Sequence, residues 1–522
     1  MAAQLAHVHT LASRGHSIVY IPCCKSSPLP ASHLYSTSSP IQPGRLVLDQ
    51  STTAMGPDQL EKKLGRSFHM EVSRKERSWV VDVESLLSDG AGGDPAAEAA
   101  MWRKHSIYRV PAHIKNGKRV ASPYGPQLVS LGPFHRDNPD LPPMDEHKQR
   151  ALLHLLRRTG RPARALVAAL EDAAAQLEDA YMDLDDGWRR DRDGFLRVMA
   201  MDGCFLLEVM RTAAGGAPGD YAPNDPIFSS HGELYMFPYV RRDMLVMENQ
   251  LPLLVLQRLV AAVHGPDAAT DDAINNMVLQ FVSLTPDPPE LRGGGLALHP
   301  IDVCHRSLLH GAPSQVCKGR RDEFVPSATE LDQAGIQFAR SATRSLHDIH
   351  FLGGVLHIPE LAVDEATEHK LLSLMAFERL HAGGGRSANE VTAYVFFMDN
   401  VIKSAADAAL LCARGVVSNG LGCDKELAKM FNRLGSRAVL GKRSALRAVH
   451  GEVNAYRATR WNQWRASLIQ NHAGNPWAIV SLAAAVFLLV LTVVQTVYTV
   501  LPYYDDREPP QMRWSAGLHE EL

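Results

Sequence analysis

The run AIVSLAAAVFLLVLTVVQTVYTV, from Ala478 to Val500, contains no charged residue. At about 1.5 Å rise per residue, a helix of this length crosses a hydrocarbon core of roughly 30 Å, and an apolar run in a water-soluble core seldom needs to be so long. It reads as a single membrane span. Trp477 on one side and Tyr498, Tyr503 and Tyr504 on the other suit the headgroup level, while Pro476 opens the helix and Pro502 closes it. Ser481, Thr492, Gln495, Thr496 and Thr499 are tolerable there, because uncharged polar side chains can bond back to the helix or to a neighbouring span. The competing reading, a buried hairpin helix of a large globular protein, sits poorly with an apolar run this long and uninterrupted.

Outward from that span, the chain has 522 residues, 45% hydrophobic and 21% charged, enough for a sizeable globular core. A formal charge of −3 excludes a wholesale polyanion binder, so no nucleic-acid partner is expected. Cys23, Cys24, Cys204, Cys304, Cys317, Cys412 and Cys423 are odd in number, scattered and never CxxC, which suits a reducing compartment and offers no zinc framework. No Asn-x-Ser/Thr sequon occurs. Residues 1–54, free of acids up to Arg45 and rich in Ser and Pro, read as a disordered leader or a possible targeting segment, with Met55 a usable start behind it. Residues 55–101 read as a poorly ordered lead-in.

From Trp102 to Gln470 helical periodicity dominates, and the expected fold class is mainly α: one large helical domain with a small β-hairpin, followed by the membrane helix at 478–500 and a short tail at 501–522. His105 to Pro111 alternates polar and apolar residues like a strand. Leu152, Leu153, Leu155 and Leu156 repeat on one face, as do Leu166, Leu170, Leu177 and Leu184. A third helix carries Phe195, Val198, Phe205 and Val209, its apolar face broken by Asp202 and Gly203. A fourth, from Met244 to Val263, must be kinked or restarted by Pro252. Ser327-x-x-Glu330 has capping-box spacing, and the helix it starts is expected to bury Leu331, Ile336 and Phe338. Asp348 to Pro359 (DIHFLGGVLHIP) reads as a hairpin turned by Gly353-Gly354. Helices then cover His369 to Leu380, Asn389 to Arg414, Asp424 to Leu434 and Lys442 to Gln470.

A set of short strings runs through this domain: Ile107 to Pro111 (IYRVP), Val129 to His135 (VSLGPFH), Met144 to Lys148 (MDEHK), Asp202 to Phe205 (DGCF) and Glu248 to Pro252 (ENQLP). Downstream come Ala328 to Leu331 (ATEL), Leu356 to Pro359 (LHIP), Ala376 to Glu378 (AFE), Tyr394 with Met398-Asp399, and Pro476-Trp477. In this order they resemble the plant family called domain of unknown function 247, also UPF 0481, from Trp102 to Val500. Phe134, Asp145 and Ser373 depart mildly from its more usual Tyr, Glu and Asn. The resemblance implies a plant, mostly helical protein with one C-terminal span and no established activity; some grass members are associated with pollen-side self-incompatibility.

Candidate chemistry is thin. Gly435 to Arg443 imitates a phosphate loop, but five residues separate its glycines and Arg443 stands where Ser or Thr would hold magnesium. His347 and His350 suggest metal ligands, yet on a strand they point to opposite faces. Cys204 beside Asp202 has no His near in sequence and reads as core. Glu248, Asn249 and Gln250, placed in a buried helix at Pro252, are expected to satisfy the backbone groups that the proline frees, although a catalytic carboxylate there is conceivable. Pro111, Gly132, Pro133, His147, Lys148, Asp202, Gly203, Glu248, Asn249, Gln250 and Pro252 are accordingly expected to be packing and turn devices. No catalytic, cofactor or metal site is expected, and no small-molecule substrate is evident.

Three functions remain open. The leading one is a membrane-anchored, non-enzymatic protein acting in recognition or signalling through an unidentified protein partner. The alternatives are an enzyme around Asp202 and Glu248, and an organellar membrane protein whose leader is cleaved. Because so short a tail follows the span and no earlier segment resembles a secretory signal, the large domain is expected to face the cytosol, at the plasma membrane or an endomembrane rather than an organelle.

Overall fold

The computed structural model describes residue 85 and residues 95–115, 124–216, 219–283, 288–311, 324–381, 389–438, 446–459 and 476–505. The leader at 1–54, most of the 55–101 lead-in, the tail beyond 505, Cys23, Cys24, Cys317 and both ends of the helix expected at 442–470 lie outside these residues. The chain divides into two units, Met1–Gly93 and Asp94–Leu522, and the second carries everything below.

That unit is mainly α. It opens with α1 (Pro95–Lys104) and a single turn, α2 (Ala112–Lys115), and continues through α3 (Asp145–Thr159), α4 (Ala163–Glu171), α5 (Ala174–Asp179) and α6 (Asp186–Arg190) to α7 (Arg192–Ala213). The α7 N-terminus is capped by Asp191, whose side chain accepts from the Gly194 N–H at 3.0 Å. Nearly every face of α7 is buried, with Phe195, Met199, Cys204, Phe205, Leu206 and Val209 wholly inside, and α3, α4, α6, α10 and α11 pack around it. Such a helix, buried on most of its circumference and carrying Asp202 and Glu208 inside, becomes the axis of its half of the fold.

The helix expected over 244–263, to be kinked or restarted by Pro252, does not run unbroken from Met244. Instead α8 (Ser230–Tyr235) and α9 (Phe237–Met244) end before a non-helical stretch at 245–252, and α10 (Leu253–His264) starts afresh behind Pro252, whose φ of −55° and ψ of 132° place it as the N-cap. The proline thus restarts the chain rather than kinking it. After α11 (Asp271–Val282) and α12 (Pro300–Leu308), the expected capping box is present: α13 (Ala328–Gln333) has Ser327 accepting from the Glu330 N–H while Glu330 reaches back to the Ser327 N–H. The helix is shorter than expected, because Gly335 (φ 90°) turns the chain and Phe338 is buried from a strand instead.

The expected hairpin is β2 (His350–Leu352) and β3 (Val355–Ile358), turned by Gly353 and Gly354 at φ 59° and 87°, positive angles that glycine adopts without strain. It is not alone. β1 (Gln337–Arg340) lies parallel to β3, giving the order β1-β3-β2, and a second sheet pairs β4 (Leu361–Val363) with β5 (Val417–Asn419). The strand-like 105–111 segment contributes just one bridge, Ile107 to Tyr181.

In the second half, α14 (Thr367–Leu380) is followed by α15 (Glu390–Val401) and α16 (Ala405–Ala413) where one helix was expected, because a second capping box, Ser404 with Asp407, starts α16 anew. α17 (Asp424–Gly435) and α18 (Leu446–Arg457) pack on α15. Last comes α19 (Pro476–Asp505).

Candidate functional site

The five upstream motifs converge on one buried node. The loop at 129–135 cannot form a helix or a ladder, so its N–H groups need partners inside the protein. Asp243, at the end of α9, accepts from the N–H groups of Gln127, Leu128 and Val129 at 2.9, 2.7 and 2.9 Å. Asn249 takes over where Asp243 stops: its Oδ1 accepts the Leu131 N–H at 2.7 Å, and its Nδ2 donates to the carbonyls of Val129 and Asp243, both at 3.0 Å. Asp202, on the central helix α7, accepts the next N–H, that of Gly132, at 2.8 Å. Its other oxygen lies 2.6 Å from Lys148 Nζ, and this ammonium also donates to the Ser130 carbonyl at 2.6 Å. Both side chains of the pair have no exposed surface. Burial pushes the Asp202 carboxyl above its ordinary value, with Lys148 and the Gly132 N–H pulling it back.

Glu248 ties down the 107–115 segment. Its Oε1 accepts the Val110 N–H at 2.6 Å and meets Lys115 Nζ at 2.6 Å, while His135 Nε2 stands 3.5 Å from Oε2. Burial alone would raise this carboxyl; His135, Lys115 and the Val110 N–H outweigh it and hold it below its ordinary value. Gln250 closes the 245–252 stretch on itself, donating to the Met244 and Val246 carbonyls at 2.7 and 2.8 Å, and its Oε1 receives the Ile301 N–H at the start of α12. The motif therefore serves distant loops and its own turn, a correction to the expectation that it satisfies a helix broken by Pro252. Pro111 starts α2, its carbonyl accepting from Ile114 and Lys115.

The glycines of the motifs mark close approaches. Gly132 has φ 70°, and a Cβ there would stand 2.6 Å from the Tyr181 hydroxyl and 2.9 Å from the Gln250 carbonyl. At Gly203 a Cβ would meet Leu259 at 2.5 Å and Val255 at 2.8 Å, so this glycine lets α10 pack tightly on α7. Pro133 is buried in the loop, and His147 lies on α3 with Nδ1 3.0 Å from Arg150.

The remaining candidates fall elsewhere. His347 lies in a turn ahead of β2, not on the strand, while His350 stacks on its cross-strand neighbour His357 at 4.6 Å. Among the described residues no group of three or more His, Cys, Asp or Glu is placed to hold a metal ion. The Cys204 thiol is pushed up to about 12 by burial, with Glu208 adding to the effect. Gly435 is the buried end of α17, and 439–445 lie outside the described residues. Sequence reasoning missed the roles of Asp243 and Tyr181, since neither belongs to a motif: Asp243 follows Arg241 and Arg242 and Tyr181 lies among Glu178, Asp179 and Asp183, so nothing beside them in the chain marks them out.

Next to the node opens a cavity of about 460 Å³, lined by His113 and Ile114 of α2, Tyr124, Arg379 of α14 and Arg437 beyond α17. The Tyr124 hydroxyl accepts a hydrogen bond from Arg437, and its pKa is raised, by burial first of all, with Arg437 opposing.

Fold and node together define a class: a helical domain whose scattered polar motifs are knotted into one internal lock, followed by a helix of membrane-spanning length. The chain belongs to a family of plant proteins of unknown function, DUF247, whose model matches residues 107–491. A UPF0481 protein of Arabidopsis thaliana is 26% identical over 440 residues, covering 79% of this chain and 89% of its own. A second, a putative UPF0481 protein of the same plant, is 30% identical over 173 residues, 33% of this chain and 32% of its own. No solved structure matches.

Proposed function

We propose that this protein is a non-enzymatic recognition or signalling component, held at the cytosolic face of the plasma membrane or an endomembrane by α19 and acting through contacts with a protein partner. The observation that carries the reading is α19 itself. Over Ala483–Leu501 its mean hydropathy is 2.2, and none of that stretch is buried by the rest of the protein. Water is a poor solvent for such a surface, and a bilayer a good one. Thr492, Thr496 and Thr499 each donate to the carbonyl four residues earlier, at 2.7 to 2.8 Å, which hides their hydroxyls from lipid.

The non-enzymatic part rests on the node. Asp202 and Glu248, the carboxylates on which an enzyme reading would turn, are already held by Lys148 and Gly132 and by Lys115 and Val110. Neither is left facing an open space where a substrate could meet it. Recognition is also the role that the family resemblance implies for some grass members.

The experiment has two arms. In sealed membranes carrying one epitope in the exposed turn at Gly422 and another after Leu522, added protease is expected to digest the first and spare the second, with the protein staying in the pellet at alkaline pH. A protected Gly422 epitope, or release into the supernatant, overturns the topology. In native tissue, proximity labelling is expected to enrich a partner above a control carrying residues 460–522 alone. Equal labelling by that control overturns the recognition reading.

A further inference from the structure

The cavity beside the node has a built interior. Leu372, Met375, Ala376 and Arg379 follow one another at helical spacing on α14, so a single face of that helix supplies an apolar floor and then, one turn on, a cation. Leu372, Met375 and Ala376 are buried, whereas Arg379 is exposed at the rim. Asn389, Thr392 and Ser436 add short polar side chains, and Arg437 adds a second cation. A volume of about 460 Å³ falls within the range of small-ligand sites, roughly 300 to 1,000 Å³.

The charge balance is one-sided. Among the described residues no Asp or Glu lines the cavity, and neither Arg379 nor Arg437 is paired with a carboxylate. The acids close by are engaged. Glu378, beside Arg379 in sequence, accepts from the N–H groups of Val391 and Thr392, both at 2.8 Å, and faces His305 at 3.0 Å. Glu248, whose field reaches Tyr124, is held by Lys115. Arg437 is short of acceptors: its Nη1 is buried without a hydrogen-bond partner. A guanidinium so placed is costly unless an anion completes its bonding.

We propose that this cavity binds a small organic anion, an apolar body resting on Leu372, Met375 and Ala376 and an anionic head group met by Arg379 and Arg437. The planar fork of arginine matches a carboxylate or phosphate. A lipid-derived acid and a free aromatic acid share this chemistry.

The test uses the full chain in detergent, so that its outcome is independent of the membrane and partner reading above. Titration calorimetry and thermal melting are run with naphthalene carboxylate, its neutral carboxamide, a short-chain fatty acid and inorganic phosphate. Saturable one-to-one binding of at least one of the two apolar acids is expected, with a raised melting temperature, and about tenfold or more weaker binding of the carboxamide. Which apolar acid binds more tightly tells the two sources apart. Arg379→Gln, a change at an exposed rim position, is expected to weaken binding about tenfold without moving the melting temperature of the free protein. Arg437→Gln, across the cavity, should weaken binding by a similar factor. The proposal is overturned if neither apolar acid binds at millimolar concentration, if the carboxamide binds as tightly as the carboxylate, or if Arg379→Gln leaves affinity unchanged. Phosphate binding as tightly as either apolar acid overturns the apolar half of the site.

Discussion

Lys148 and Asp202 form an ion pair with no exposed surface, and removing one partner of such a pair strands a charge. Lys148→Met is therefore expected to cost about 3 to 5 kcal/mol of unfolding free energy. In Lys148→Met with Asp202→Asn most of that loss should return, because the amide oxygen still accepts the Gly132 N–H; with Asp202→Leu less should return, because that N–H is orphaned. Urea melts of the four proteins check the order, and equal recovery in the two double variants would mean that the Gly132 bond is idle. At the second arm of the node, Glu248→Ala and Asn249→Ala are each expected to cost about 1 to 3 kcal/mol by leaving the Val110 or Leu131 N–H unsatisfied. The identities of these residues stand out in the chain as polar letters in apolar company. Their partners do not, since Val110 is 138 positions from Glu248 and Leu131 is 118 from Asn249.

Between elements, the glycines set the spacing. A Cβ on Gly132 would press on the Gln250 backbone carbonyl and require a left-handed conformation, whereas a Cβ on Gly203 would press on the ends of Leu259 and Val255, which can rotate away. Gly132→Ala is thus expected to lower the melting temperature more than Gly203→Ala; the reverse order would contradict the contact geometry. Element boundaries were legible where local chemistry writes them. The Ser327 and Glu330 capping box and the Gly353-Gly354 turn fall where the sequence places them, because both depend on residues a few positions apart. The restart at Pro252 is one of the two outcomes its sequence implies, but the non-helical stretch at 245–252 and the break at Ser404 were missed. That stretch looks helical in its apolar content and is opened by side chains that bond to remote loops. β1, β4 and β5 were missed for a related reason: each is three or four residues long and pairs in parallel with a strand brought in from elsewhere.

For the whole domain, acid should be the sensitive direction. Glu248 is held below its ordinary value of 4.5, and Glu208 is lowered likewise: burial alone would raise it, and hydrogen bonds from Arg158 and Arg211 prevail. A carboxyl depressed in the folded chain binds fewer protons there than in the unfolded one, so its contribution is complete above the unfolded value and is lost as pH falls through the folded value. Asp202 and Asp243 act with the opposite sign, since burial raises both. The urea midpoint of Glu248→Gln measured between about pH 7 and pH 3 should accordingly fall less steeply with acid than that of the parent. An unchanged slope would show that Glu248 titrates alike in both states.

What could be read from the letters alone was whatever depends on neighbours along the chain. The membrane-length run at 478–500 follows from uninterrupted apolarity, the mainly α character from a period near 3.6, and the caps and the hairpin turn from spacings of two to three residues. The node and the cavity depend on folding. Asp243, Asn249 and Asp202 come from separate elements, and each supplies an acceptor to a consecutive stretch of one loop. Arg379 and Arg437 line one cavity although α15, α16, β5 and α17 intervene. A backbone N–H accepts whatever oxygen the tertiary packing brings within about 3 Å of it, and sequence separation has no part in that choice.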